Sequence, residues 1–187
     1  MLKVLGISGS LRRGSYNSAL LRAATALMPA EATLEVASIR GVPLYDGDVE
    51  AQGIPASVAQ LKEALVAADG VLLVTPEYNN SIPGVFKNAI DWLSRPAADA
   101  RRVFGGRRFA LIGASPGGFG TTMSQAAWLP VLRTLGAQLW TGGRLLVARA
   151  NNVFDERGTL KDQTVEEALK QFLTGYVAWL KRMPPPA

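Results

Sequence analysis

Short apolar runs alternate along the chain with stretches whose apolar positions recur every three or four residues. Lys3 to Ser8 is an apolar, partly β-branched run that reads as a strand, followed by a loop rich in glycine and serine. From about Tyr16 to Met28, Leu20, Leu21, Ala24 and Leu27 share one face at helical spacing, which predicts a helix. Thr33 to Ile39 reads as a second strand, and Gly41 to Pro55, broken by proline, glycine and aspartate, as a long loop. Ser57 to Ala68 is the next helix, with Val58, Leu61, Leu65 and Ala68 inward. Gly70 to Thr75 is apolar until its end, the pattern of a strand buried on both faces of a parallel sheet. Pro83 suits the first turn of a helix running to Trp92 or Leu93, in which Phe86, Ile90 and Leu93 are core by their spacing. Arg108 to Ala114 is the fourth strand, and Gly120 to Leu135 the fourth helix, where Pro130 predicts a kink or break. Gln138 to Val147 supplies a fifth strand, interrupted at Gly142-Gly143, and Thr164 to Lys181 a final amphipathic helix.

Strands alternating with helices predict an α/β fold: a five-stranded parallel sheet covered on both faces. Right-handed crossovers leave the doubly wound strand orders as the main candidates. The chain has 187 residues and shows no repeat or linker, so one domain is expected over residues 1–183, with a frayed proline-rich tail at 184–187. Ligands of such sheets sit beyond the carboxyl ends of the strands, near the switch in strand order. The loops after strands one, three and four are therefore the places to look.

The first loop is Gly9-Ser10-Leu11-Arg12-Arg13-Gly14-Ser15-Tyr16-Asn17. It enters a helix, so free N–H groups and the helix dipole converge on it. Ser10, Ser15 and Asn17 add hydrogen-bond donors and Arg12 a bidentate cation, which is chemistry for a terminal phosphate. It lacks the Gly-Lys-Ser/Thr ending of a Walker A loop and is not a Gly-x-Gly-x-x-Gly fingerprint. The same residues would also serve an ordinary polar turn with a serine or asparagine helix cap. The second loop, Thr75-Pro76-Glu77-Tyr78-Asn79-Asn80-Ser81-Ile82-Pro83-Gly84, is stiffened by two prolines and could support a planar ring, or could simply lead into a proline-started helix. The third, Ala114-Ser115-Pro116-Gly117-Gly118-Phe119-Gly120-Thr121, is glycine-rich, lets a backbone approach a flat ligand, and opens a helix whose N-terminus favours negative charge.

Composition narrows the chemistry. The chain contains no cysteine and no histidine, which removes thiolate nucleophiles, disulfides, the usual general base and the commonest metal ligands. Chemistry that asks little of side chains points to a cofactor. The net charge of +5 favours an anionic partner, but the arginines are scattered as Arg12-Arg13, Arg101-Arg102 and Arg107-Arg108, unlike the concentrated face of a nucleic-acid binder, so no nucleic acid is expected. No apolar run approaches the roughly 20 residues of a membrane span, and the N-terminus lacks the h-region of a leader, so no membrane association and a cytoplasmic location are expected.

Taken together, the first loop, the segment Thr75-Pro76-Glu77-Tyr78-Asn79 continued through Ser81-Ile82-Pro83-Gly84-Val85-Phe86-Lys87-Asn88-Ala89-Ile90-Asp91-Trp92, and Ser115-Pro116-Gly117-Gly118 resemble the NADPH-dependent FMN reductase family, which includes bacterial flavin-dependent quinone and chromate reductases. The match runs from the first strand through the fourth helix, and its middle motif is the most specific part. Thr121 departs from it, standing where several relatives carry another glycine. The resemblance implies a flavodoxin-like sheet of order 2-1-3-4-5. It implies that Ser10, Arg12, Ser15 and Asn17, with neighbouring Tyr16, hold the FMN phosphate, that Pro76, Glu77, Tyr78 and Asn79 line the isoalloxazine, and that Ser115, Gly117 and Gly118 help close the site. It further implies electron transfer from NADH or NADPH through FMN to a quinone, flavin or metal-oxyanion acceptor, with no essential side-chain acid or base. A homodimer or homotetramer is implied, with the segment after Asn80 near the interface and Glu77, Arg101 and Arg102 as candidate subunit contacts, the arginines reading more simply as solvated surface charge.

A non-enzymatic electron carrier of the flavodoxin type is the alternative. Those proteins share the fold but are typically acidic, whereas this chain is basic, and steady oxidation of NAD(P)H by the purified protein separates the two. Arg12→Ala is expected to weaken FMN retention far more than it alters electron transfer in the reconstituted enzyme. Equal FMN affinity in variant and parent would rule out the phosphate role.

Overall fold

A computed structural model of the chain describes residues 1–183, and the tail expected at 184–187 lies outside the described residues. The elements are β1 (Leu2–Ser8), α1 (Tyr16–Ala26), β2 (Ala32–Ala37), α2 (Gly47–Ala51), α3 (Ala56–Val66), β3 (Gly70–Val74), α4 (Gly84–Leu93), α5 (Ala100–Phe104), β4 (Arg108–Ala114), α6 (Thr122–Thr134), β5 (Gln138–Leu139), β6 (Leu145–Val147), α7 (Ala150–Val153) and α8 (Gln163–Arg182). All strand pairs are parallel in the order β2-β1-β3-β4-β5, and β6 continues alongside β4 where β5 leaves off.

The two-sided burial of β3 and β4 explains their unbroken apolar sequences, because each face meets a helical layer. On one face Leu72, Val74, Ala110 and Ile112 pack against α1 and α8; on the other Val71, Leu73, Phe109 and Leu111 pack against α3, α4, α5 and α6. Ser15 caps α1 by accepting from the Ser18 N–H at 3.2 Å, and Asp162 caps α8 by accepting from the Val165 N–H at 3.0 Å. Tyr176 of α8 donates its phenol to the Arg108 carbonyl at 2.9 Å, and burial pushes that phenol far above its ordinary range, so it remains a protonated donor.

Two local expectations change and a third holds. The segment expected as a loop contains α2, a helix too short to show periodicity, started by Asp46 and anchored where Glu50 accepts from Arg95 and Tyr45, both at 2.8 Å. Pro130 does not break α6; its ring lies on the exposed side, where the bond it removes can be replaced by water. The interruption of the fifth strand is real: Trp140 turns inward against Phe172, ring centroids 4.7 Å apart, and the chain rejoins β4 only at Leu145.

β4 carries the close approach on which the functional end depends. A Cβ on Gly113 would lie 2.2 Å from both the Thr75 carbonyl oxygen and the Thr121 hydroxyl. The strand can therefore bring the loop after β3 and the start of α6 together only with glycine at that position. Gly113→Ala is expected to cost about 1–3 kcal/mol, as overpacking generally does, seen as a lowered melting temperature; an unchanged melting temperature would show that the two segments can part freely.

Candidate active site

The three loops leave neighbouring strands at the carboxyl edge of the sheet. The first begins where the Gly9 N–H donates to the Val74 carbonyl at 2.9 Å, the last rung between β1 and β3. A Cβ on Gly9 would sit 2.1 Å from the Phe86 ring, so glycine lets this loop rest directly on α4. The Leu11 carbonyl is held by the Arg40 guanidinium at 2.7 Å, and the Ser10 hydroxyl accepts from the Arg12 N–H at 3.3 Å. Among the described residues, the N–H groups of Leu11, Arg13, Gly14, Tyr16 and Asn17 have no acceptor and the exposed Arg12 side chain has no partner. No carboxylate occurs between Gly9 and Asn17. Unspent donors at the start of α1 beside a free arginine form a fitting environment for a phosphate dianion.

In the second loop Tyr78 and Ser81 exchange both backbone hydrogen bonds, at 3.1 and 3.0 Å, around Asn79 (φ 50°) and Asn80 (φ 60°). This is a two-residue hairpin turn of the I′ kind, which requires positive φ at both central residues; asparagine tolerates it best after glycine. Below it the buried Thr75 hydroxyl donates to the Pro76 carbonyl at 2.9 Å, receives the Trp128 indole N–H at 3.1 Å and meets the Ser124 hydroxyl at 2.8 Å. Trp128 in turn packs edge-on against Phe86, ring centroids 5.1 Å apart.

The third loop is tied down from the other side. The Ser115 hydroxyl donates to the Gly120 carbonyl at 2.6 Å, and the Arg149 and Ala150 N–H groups bond the Gly117 and Ser115 carbonyls, each at 3.0 Å. Thr121 is fully buried behind the loop, where its hydroxyl accepts from Gln125 at 3.1 Å, so this departure from the family pattern faces the protein interior. A Cβ on Gly118 would meet nothing within 4 Å: the space over the loop is open to a flat ligand.

Of the residues singled out from the sequence, Ser10, Arg12, Ser15, Tyr16, Asn17, Pro76, Glu77, Tyr78 and Ser115 line one cleft, joined by Ala114 and Pro116; Asn79, Gly117 and Gly118 are not among its walls. The cleft encloses about 90 Å³, well below the roughly 300 Å³ at which pockets engulf small ligands. Its size suits a phosphate and the start of a chain, and a ring attached to them would lie largely outside it. Besides Ser115, whose hydroxyl is spent on the Gly120 carbonyl, Asn17 and Glu77 are committed to the protein itself. Asn17 donates to the Ala114 carbonyl at 2.8 Å and accepts from the Ala114 N–H at 2.9 Å, so only its backbone N–H remains for a ligand. Glu77 accepts from the Met123 and Ser124 N–H groups at 2.8 and 3.0 Å, capping α6 from a different loop. Arg102, a candidate subunit contact, pairs within the chain with Asp99 at 2.6 Å and Glu63 at 2.9 Å.

Thr75, Ser124 and Trp128 were not singled out from sequence. A threonine closing an apolar strand was their one visible signal, and Trp128 is indistinguishable there from an ordinary core residue.

The sequence model of a family described as NADPH-dependent FMN reductase matches residues 2–152. A Pseudomonas aeruginosa protein named an NAD(P)H-dependent FMN reductase is 44% identical over 182 residues, spanning 97% of each chain. A 2-hydroxy-1,4-benzoquinone reductase from a Burkholderia species is 36% identical over 180 residues, spanning 96% of this chain and 97% of the relative. Among solved structures, the flavoenzyme NAD(P)H:(acceptor) oxidoreductase of Paracoccus denitrificans superposes with a TM-score of 0.87 at 31% identity, spanning 97% of this chain and 98% of the other.

Asn17→Ala would orphan a buried N–H and a buried carbonyl of Ala114. It is expected to destabilise the fold by on the order of 3 kcal/mol, with Asn17→Asp at least as damaging because a carboxylate cannot donate to that carbonyl. Thermal denaturation without cofactor measures this; an unchanged melting temperature with FMN affinity alone reduced would contradict the tethering role.

Proposed function

The chain belongs to the NADPH-dependent FMN reductase family, oxidoreductases that use NAD(P)H and FMN, and we propose that its FMN is held where the three loops converge and that a quinone-like molecule is the acceptor. The observation that carries the placement is the concentration of unspent backbone N–H groups, a free Arg12 and an open glycine face around one carboxylate-free loop. FMN bound there would supply the redox chemistry that carries two electrons from the nicotinamide to the acceptor. The overall balance is NAD(P)H, one proton and a quinone giving NAD(P)⁺ and a hydroquinone.

The protein's part is positional. Ser10, Arg12, Ser15 and the N–H groups of Tyr16 and Asn17 bind the phosphate in this reading, and the dipole of α1 adds to the attraction. Pro76, Tyr78 and the hairpin at Asn79 support one side of the ring, while Gly117 and Gly118 admit its edge against backbone. With no histidine or cysteine in the chain, the proton comes from solvent in this reading. The shallow cleft would leave one face of a bound ring open to nicotinamide and acceptor in turn. The quinone assignment draws on the relative named for 2-hydroxy-1,4-benzoquinone, and the net charge of +5 also suits an oxyanion such as chromate.

Two exposed apolar groups support self-association. Leu44 (81% exposed), Tyr45 and Val49 lie with Val85 around the outer side of α4, where Asn88 and Trp92 both donate to the Pro43 carbonyl. Phe119 (86% exposed), just before α6, and Met123 and Leu129 within it are the second exposed apolar group. Two separate patches suit two kinds of two-fold contact, hence a homotetramer built from dimers. No described helix is long and apolar enough to cross a membrane, and a reductant regenerated inside the cell favours a cytoplasmic setting.

Anaerobic mixing of FMN-loaded protein with NADPH or NADH should bleach the visible flavin band. Subsequent addition of a benzoquinone should restore it, and air-free steady turnover should consume both substrates in equal amounts. Bleaching without recovery on quinone would refute the acceptor assignment, and no bleaching with either nicotinamide would refute the site.

A further inference from the structure

Helix α6 begins without a cap of its own. Thr121 occupies the capping position, but its side chain makes no capping bond, leaving the first N–H groups of a thirteen-residue helix to find partners elsewhere. Two of them, on Met123 and Ser124, are taken by one carboxylate oxygen of Glu77, which belongs to the loop after β3, 46 and 47 residues earlier in the chain. Directly beneath, Ser124 meets the Thr75 hydroxyl at 2.8 Å, so the second loop is fastened to α6 at two points, one buried and neutral, one charged.

This bond has two separable consequences. Mechanically, Glu77 fixes the spacing between the second and third loops, the two walls between which Pro76, Tyr78, Ser115 and Pro116 face one cleft. Electrostatically, it places a carboxylate on the positive end of the α6 dipole, beside the same cleft. A bare helix N-terminus next to a ring that gains negative charge on reduction would favour the reduced form; a helix end already neutralised by a fixed carboxylate does so much less.

Resting on the cofactor placement argued above, we propose that Glu77 is a positioning residue that sets the spacing of the second and third loops and, by neutralising the start of α6, keeps the bound FMN more strongly reducing than an uncompensated helix end would. Glutamine at this position retains an oxygen that can accept from both N–H groups but carries no charge. Alanine removes charge and tether together. The pair therefore separates the two effects.

The test is to load FMN onto the parent, Glu77→Gln and Glu77→Ala proteins and to measure FMN dissociation constants by flavin fluorescence, midpoint potentials by dye equilibration, and melting temperatures without cofactor. In Glu77→Gln the oxidised cofactor should bind within about threefold of the parent, while preference for reduced over oxidised FMN should rise about tenfold, a shift of about 30 mV to more positive potential for a two-electron couple. In Glu77→Ala the potential should shift in the same direction and oxidised FMN should bind at least about tenfold more weakly, by loss of the tether. A midpoint potential unchanged in Glu77→Gln, or an FMN affinity unchanged in Glu77→Ala, would overturn the proposal. Failure of the parent itself to bind FMN would overturn the cofactor placement and this inference with it.

Discussion

The functional end of the molecule hangs on one buried hydroxyl. Thr75 closes β3 at the point where the second loop leaves the sheet, and its oxygen is shared by the Pro76 carbonyl, the Ser124 hydroxyl and the Trp128 indole. Trp128 touches Phe86, and the Phe86 ring leaves room above it only for a glycine, Gly9, at the root of the first loop. Gly113 lets Thr75 and Thr121 meet across β4. Each of the three loops is thus anchored at its base by contacts with no freedom to slide, in an interior packed as densely as a crystal. Loops that would otherwise move independently are held at a fixed separation.

That rigidity matters because the site has little else to work with. With no histidine or cysteine in the chain, specificity in the proposed site would rest on backbone N–H groups, the free Arg12 and the placement of open surfaces. Such groups act only if they are preorganised, since each is weak when it must first be brought into position. The division of labour among the asparagines and the acid follows. Asn17 is spent on clamping α1 to the end of β4, Asn79 and Asn80 on turning the hairpin, and Glu77 on the end of α6, which leaves the first loop as the part facing a ligand with its donors unspent.

How much of this was legible in the sequence differs between levels. The two-faced burial of Gly70 to Val74 and of Arg108 to Ala114 is written in unbroken apolar runs, and with the alternation of elements it yields the parallel sheet and the edge at which to look. Helix α2 was not legible, because five residues carry no periodicity and its anchor, the contact of Glu50 with Arg95, spans 45 positions. At the site, the identity of the three loops could be read from their motifs, but the direction of individual side chains could not. Asn17 and Glu77 look like ligand groups in a list of polar residues; whether their atoms are already satisfied depends on Ala114 and on the start of α6, 97 and 46 residues away. Local pattern reports which loops meet, and long-range hydrogen bonds decide which of their groups remain free.

In the proposed reading, all three loops close on one ligand, the first with its free backbone N–H groups and the other two as walls. Amide hydrogen exchange of the protein with and without FMN addresses it directly. FMN should slow exchange together in peptides spanning 10–17, 76–81 and 115–121, with little change elsewhere on the surface. Protection confined to a single loop, or appearing instead in the groove between α1 and the segment at Arg157 to Leu160, would contradict it.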